Sequence, residues 1–80
     1  NPITRIDFSL AVNGHALITL YDITGRKIRD LVNKPFAAGS YSFDLNASDL
    51  PSGMYFYKMN TTDSQGSSAF NSTRKLVLMK

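Results

Sequence analysis

His15 and six aspartates are the side chains in these 80 residues that could serve as acid, base or metal ligand, and glutamate and cysteine are absent. An enzyme needs a nucleophile beside a base, two carboxylates in unlike surroundings, or a ligand cluster. None of these is spelled out. His15 follows Asn13-Gly14 and reads as an exposed histidine beside a turn, with no partner to make it a general base. Asp22, Asp44, Asp49 and Asp63 fall at turns or on the polar side of alternating runs, where capping accounts for them. There is no Asp-x-Asp-x-Asp series for a calcium loop, and the five glycines stand apart rather than forming a phosphate cradle. The residues therefore imply no catalytic set, no metal site and no cofactor. Asn46, Asn60 and Asn71 each open an Asn-x-Ser/Thr triplet, a frequent coincidence in a chain rich in these residues.

Tyr41, Tyr55 and Tyr57 raise a different chemistry, the stacking of sugar rings on exposed aromatics. Alternation puts Tyr41 on one face with Phe43, and Tyr55 on one face with Tyr57, so at least one pair must be core. Carbohydrate binding is a minor reading.

Whatever positions these groups is small. A chain of this size buries only about 60 to 65% of its unfolded surface and holds one compact domain, residues 1–80. With 42% hydrophobic and 19% charged residues it has the composition of a folded protein. Nine bases against six acids leave a net charge of +3, too scattered for a phosphate-tracking stripe, so nucleic acid is not an expected partner. No apolar run is long enough to span a bilayer as a helix. A chain opening on Asn1-Pro2, with no initiator Met and no leader, reads as a piece of a longer protein.

Period-2 alternation dominates, which makes the chain all-β. Ile6, Phe8 and Leu10 share one face of a first strand. Asn13-Gly14 turns the chain, and residues 16–22 follow with Ile18 and Leu20 inward and Leu17 and Tyr21 on the other side. Asp22-Ile23-Thr24-Gly25 is the pattern of a type I turn closing into a bulge, after which residues 27–32 pair back antiparallel. Asn33-Lys34-Pro35 ends that hairpin, and Ala38-Gly39 launches Tyr41, Phe43 and Leu45. Leu50-Pro51-Ser52-Gly53 predicts a type I turn into a fifth strand, residues 54–59, in which Tyr55 is placed either to form a tyrosine corner or to pack as a half-buried aromatic. Residues 61–68 read as a loop before extended structure resumes at Phe70. Six to seven short strands with frequent turns predict an immunoglobulin-like antiparallel β-sandwich, with a small open barrel as the alternative.

Three segments, Leu20 to Ile28, Leu50 to Tyr57 and Arg74 to Lys80, together with the opening Asn1-Pro2-Ile3-Thr4, resemble the C-terminal sorting domain of the bacterial type IX secretion system. The Ig-like domain of the flagellar hook-capping protein shares the Tyr-Asp-x-x-Gly-Arg and Pro-x-Gly-x-Tyr elements. The resemblance implies a non-catalytic tail on a larger exported cargo, often a hydrolase or adhesin, that is read by an outer-membrane translocon and removed by a cell-surface sortase. The product would be secreted or displayed on the cell surface, by way of the periplasm and outer membrane. It further implies that Asp22, Gly25, Arg26, Pro51, Gly53 and Tyr55 define the structure. The recognition strand would be Arg74, Lys75, Leu76, Val77, Leu78, Met79 and Lys80. The stretch from Thr61 to Ser72 is longer and more polar than the family's usual connection. Independently of the family, a terminal strand with apolar residues facing both ways offers an edge for strand addition, and such edges would also let two copies pair. The alternative function is a structural or adhesive Ig-like module of the hook-capping or carbohydrate-binding kind.

Overall fold

The computed structural model describes residues 3–79. Six strands occur among them: β1 (Ile3–Leu10), β2 (Gly14–Asp22), β3 (Lys27–Phe36), β4 (Gly39–Asn46), β5 (Gly53–Asp63) and β6 (Ser68–Leu78). All pair antiparallel, in a narrow sheet β1-β4 and a wide sheet β3-β2-β5-β6. Two separate sheets packed face to face make a sandwich, not a barrel. The strand order is unchanged when β1-β2-β3 is exchanged for β4-β5-β6, so each half contributes one strand to the narrow sheet and a hairpin to the wide one.

Alternation puts the core where the sequence predicts it. Ile6, Phe8 and Leu10 of β1, Ala16, Ile18 and Leu20 of β2, Tyr55 and Met59 of β5, and Leu76 and Leu78 of β6 are all buried. The interior has two apolar clusters. One gathers Ile6, Leu20, Leu45, Ala47, Tyr55, Leu76 and Leu78, and the other Phe8, Leu10, Ala16, Ile18 and Met59, with Leu31, Phe43 and Tyr57 packing against both. Phe8 anchors a group of rings, 5.3 Å from Phe36, 5.6 Å from Tyr41 and 6.2 Å from Phe43 between centroids. Tyr41 with Phe43 and Tyr55 with Tyr57 all pack against this interior, Tyr55 buried and the other three half-buried.

Several boundaries differ from expectation. Pro35 does not end the β2–β3 hairpin: β3 continues to Phe36, with Pro35 opposite His15. Because β3 is an outer strand, a missing N–H is tolerated there. His15 is accordingly a half-buried strand residue, its Nε2 2.6 Å from Asn33 Oδ1, and not a loop histidine. The polar stretch 61–68 is not a loop either. β5 runs to Asp63 and β6 begins at Ser68, so a tight turn joins two 11-residue strands, and Asn60 pairs with Asn71 and Thr61 with Phe70. Between β4 and β5 the hydrogen-bonded turn lies at Ala47–Leu50, where Leu50 N donates to Ala47 O at 3.0 Å. Pro51 and Ser52 then lead into β5. Arg29 ties β3 to this connection, its Nη1 3.1 Å from Asp49 Oδ2 and its Nη2 3.3 Å from Asn46 O.

Candidate functional site

The residues singled out as structure-defining build two local devices, and each occurs twice. In the first, Asp22 Oδ1 accepts hydrogen bonds from Thr24 N at 2.9 Å, Thr24 Oγ1 at 2.6 Å and Arg26 N at 3.0 Å. Gly25 N donates to Asp22 O and Asp22 N to Arg26 O, both at 3.0 Å. Gly25 takes φ +89, a left-handed conformation that costs a side chain with a Cβ about 1 kcal/mol. The Thr24 hydroxyl first, then the Arg26 amide, hold the Asp22 carboxyl below its ordinary value of 3.8. Arg26 Nε lies 3.6 Å from Asp22 Oδ2, but its side chain is 86% exposed, so the pair contributes little. The same turn recurs at Asp63: Oδ1 accepts from Gln65 N at 2.9 Å and Ser67 N at 3.0 Å, and Gly66 stands at φ +83. The register places Asp22 opposite Tyr55 and Gly14 opposite Asp63, so the two turns close opposite ends of the wide sheet.

The second device is the tyrosine corner. Tyr55 Oη donates to Pro51 O at 2.5 Å, across Gly53 at φ +152. Tyr41 Oη donates to Ala37 O at 2.6 Å across Gly39 at φ +149. Only the Tyr55 corner was expected. Its partner was visible as a second Gly-x-Tyr, residues 39–41 beside 53–55, just as Asp-x-x-Gly at 63–66 repeats 22–25. Removing the Tyr55 hydroxyl with Tyr55→Phe should cost about 1 kcal/mol, because Pro51 is exposed and water can replace the lost donor. Thermal unfolding should show a midpoint about 5 °C lower.

The terminal strand has two unlike faces. Leu76 and Leu78 point into the sandwich, 7% and 1% exposed, while Val77 and Met79 are 53% and 69% exposed. Both apolar sets are therefore not buried together. Val77 pairs with Met54, also exposed, and Lys75 with Phe56, so the outward face near the end of β6 is an apolar patch with one cation. Arg74 lies on the inward side, opposite Tyr57. β6 is the outer strand of the wide sheet, and its 11 residues include no proline. Asn1, Pro2 and Lys80 lie outside the described residues. Among the described residues no three His, Cys, Asp or Glu side chains are grouped to hold a metal.

Compared with individual curated proteins and solved structures, the chain matches none. Residues 1–78 match the profile of the family described as the secretion system C-terminal sorting domain. That match covers the doubled turns, the corners and all of β6, and by it the chain belongs to the C-terminal sorting domains of type IX secretion, non-catalytic modules that direct a cargo protein across the outer membrane to the cell surface or exterior.

Proposed function

We propose that this chain is the tail of a larger exported cargo and that the machinery recognises it through its terminal segment, residues 74–80, by way of the outward face and free edge that the end of β6 presents. The translocon would add a strand to that edge, and a surface sortase would then cut before the domain. The observation that carries this reading is the asymmetry of β6: Leu76 and Leu78 anchor it while Val77 and Lys75 remain outside. An anchored strand with unpaired backbone groups is a preformed template, and its position costs no ordering of a free segment. β3, the other outer strand of the wide sheet, contains Pro35 and a register shift at Leu31, both of which blunt an edge, whereas the register shift of β6, at Ala69, lies away from residues 74–78.

Deleting residues 75–80 from a cargo would remove Leu76 and Leu78 as well, so failed export would not separate recognition from unfolding. The discriminating variant is Lys75→Glu with Val77→Glu, both at exposed positions. Stability should change by less than about 1 kcal/mol, and the cargo should accumulate in the periplasm. Normal surface display of a folded double variant would sink the proposal.

A further inference from the structure

Four strands face two, so the wide sheet extends past the narrow one on both sides. On the β3 side the overhang meets the rings of Phe36, Tyr41 and Phe43 gathered on Phe8, and its cation, Lys34, sits 5.3 Å from the Phe36 ring centroid. On the β6 side lies a cleft of about 310 Å³. One wall is the free edge of β1 from Ile6 to Ser9 with Ala11 just past the strand, the floor includes Tyr57 and Met59, and the far wall carries Phe70 and Arg74. Phe70 is 49% exposed. Asp7, Asp22, Asp30 and Asp49 are paired with Arg5, Arg26, Lys27 and Arg29, but among the described residues the Arg74 side chain has no ion-pair or hydrogen-bond partner.

We propose that this cleft accepts an extended peptide strand that adds to the free edge of β1 and presents a carboxylate to Arg74. Backbone groups on an unpaired edge select an extended partner. From Ile6 to Leu10 the edge spans about 13 Å, enough for five residues with three facing inward. Arg74 and Phe70 lie four residues apart on the same face of β6, which sets the partner's spacing: an acid and an apolar residue four apart. Ile6 clusters with Leu76 and Leu78, and Phe8 and Leu10 with Met59, so β1 runs from the Arg74 end towards the Phe70 end. A strand antiparallel to β1 therefore meets Phe70 first and Arg74 last. The site is distinct from the outward face of β6 and does not depend on the export reading.

The probe is acetyl-Thr-Leu-Thr-Val-Thr-Asp-Thr-amide, titrated into this chain while backbone amide chemical shifts are followed. Saturable shifts should appear along residues 6–11 and at Arg74, and replacing the peptide's Asp by Asn should weaken binding at least fivefold. Arg74→Glu should abolish binding of the Asp peptide, and a peptide with Lys in place of Asp should recover it. Equal affinity for the Asp and Asn peptides on the parent chain overturns the proposal without recourse to any variant. So do an absence of saturable shifts, shifts confined to the outward face of β6, or concentration-dependent shifts at β1 without peptide, which would make a second copy the occupant.

Discussion

Gly14→Ala should be among the most damaging single-methyl additions this fold can suffer. A Cβ built on Gly14 would lie 1.8 Å from Thr62 O, 2.9 Å from Thr62 C and 3.2 Å from Asp63 Cα, all backbone atoms of β5. No rotamer change relieves such a clash. The end of the β2–β5 ladder, where Gly14 pairs with Asp63 and His15 with Thr62, must open instead. Overpacking of this kind costs about 3 kcal/mol, a large share of the roughly 4 to 12 kcal/mol that a domain of this length possesses. Chemical denaturation should read the loss directly, and amide exchange should accelerate first at Thr62 and Asp63. Gly25→Ala provides the comparison: nothing lies within 4 Å of its Cβ, and only the φ of +89 resists, so the cost should stay near 1 kcal/mol. Should the two substitutions rank the other way, the close approach of β2 and β5 is not what excludes a side chain at Gly14.

That ranking shows where local sequence stops being informative. Asn-Gly is a turn signal, yet Gly14 has no positive φ and opens β2, its freedom spent on proximity to a strand 48 residues away. Contacts within a turn are written in neighbouring residues. Asp22 with Gly25, and Pro51 with Tyr55, could be read for that reason. Inward sets such as Ile6, Phe8 and Leu10 were equally legible, because period 2 is a one-dimensional signal. The far end of the β5–β6 hairpin was not. Thr61, Thr62, Ser68 and Asn71 look like loop residues, but a ladder of backbone hydrogen bonds does not require apolar side chains. Pro35 misled for a related reason, since whether a strand is an edge depends on sheet order, which no local window contains. The Arg29–Asp49 clamp and the cleft beside Arg74 likewise exist only once strands distant in sequence have been laid side by side.

The doubled devices also explain how a cysteine-free domain this small holds its shape. Each half carries an Asp-x-x-Gly turn closing its hairpin, the two Gly-x-Tyr corners pin the segments that lead into β4 and β5 of the second half, and the order β3-β2-β5-β6 places the two hairpins back to back. Short-range hydrogen bonds fix the connections, leaving the apolar interior to decide only how the two sheets meet. The cost is that both sheets depend on few side chains. Among the described residues the largest fully buried side chains are Ile18, Leu20 and Leu78.

Leu78 is the member of that trio with consequences for export. At 1% exposure it packs with Ile6, Leu20, Leu45 and Tyr55 at the end of β6, so Leu78→Ala should remove about 3 kcal/mol through lost burial and the cavity left behind. For a domain of this size the melting temperature should fall by roughly 10 to 20 °C. Val77→Ala, one residue earlier and 53% exposed, should change stability by less than about 1 kcal/mol. If recognition uses the outward face, the same two substitutions should part company in a cargo assay: Val77→Ala weakens export of a folded tail, whereas Leu78→Ala weakens it by unfolding the tail and recovers when the cells are grown cooler. Equal melting temperatures for the two variants would mean that β6 is not anchored as described, and the template for strand addition would go with it.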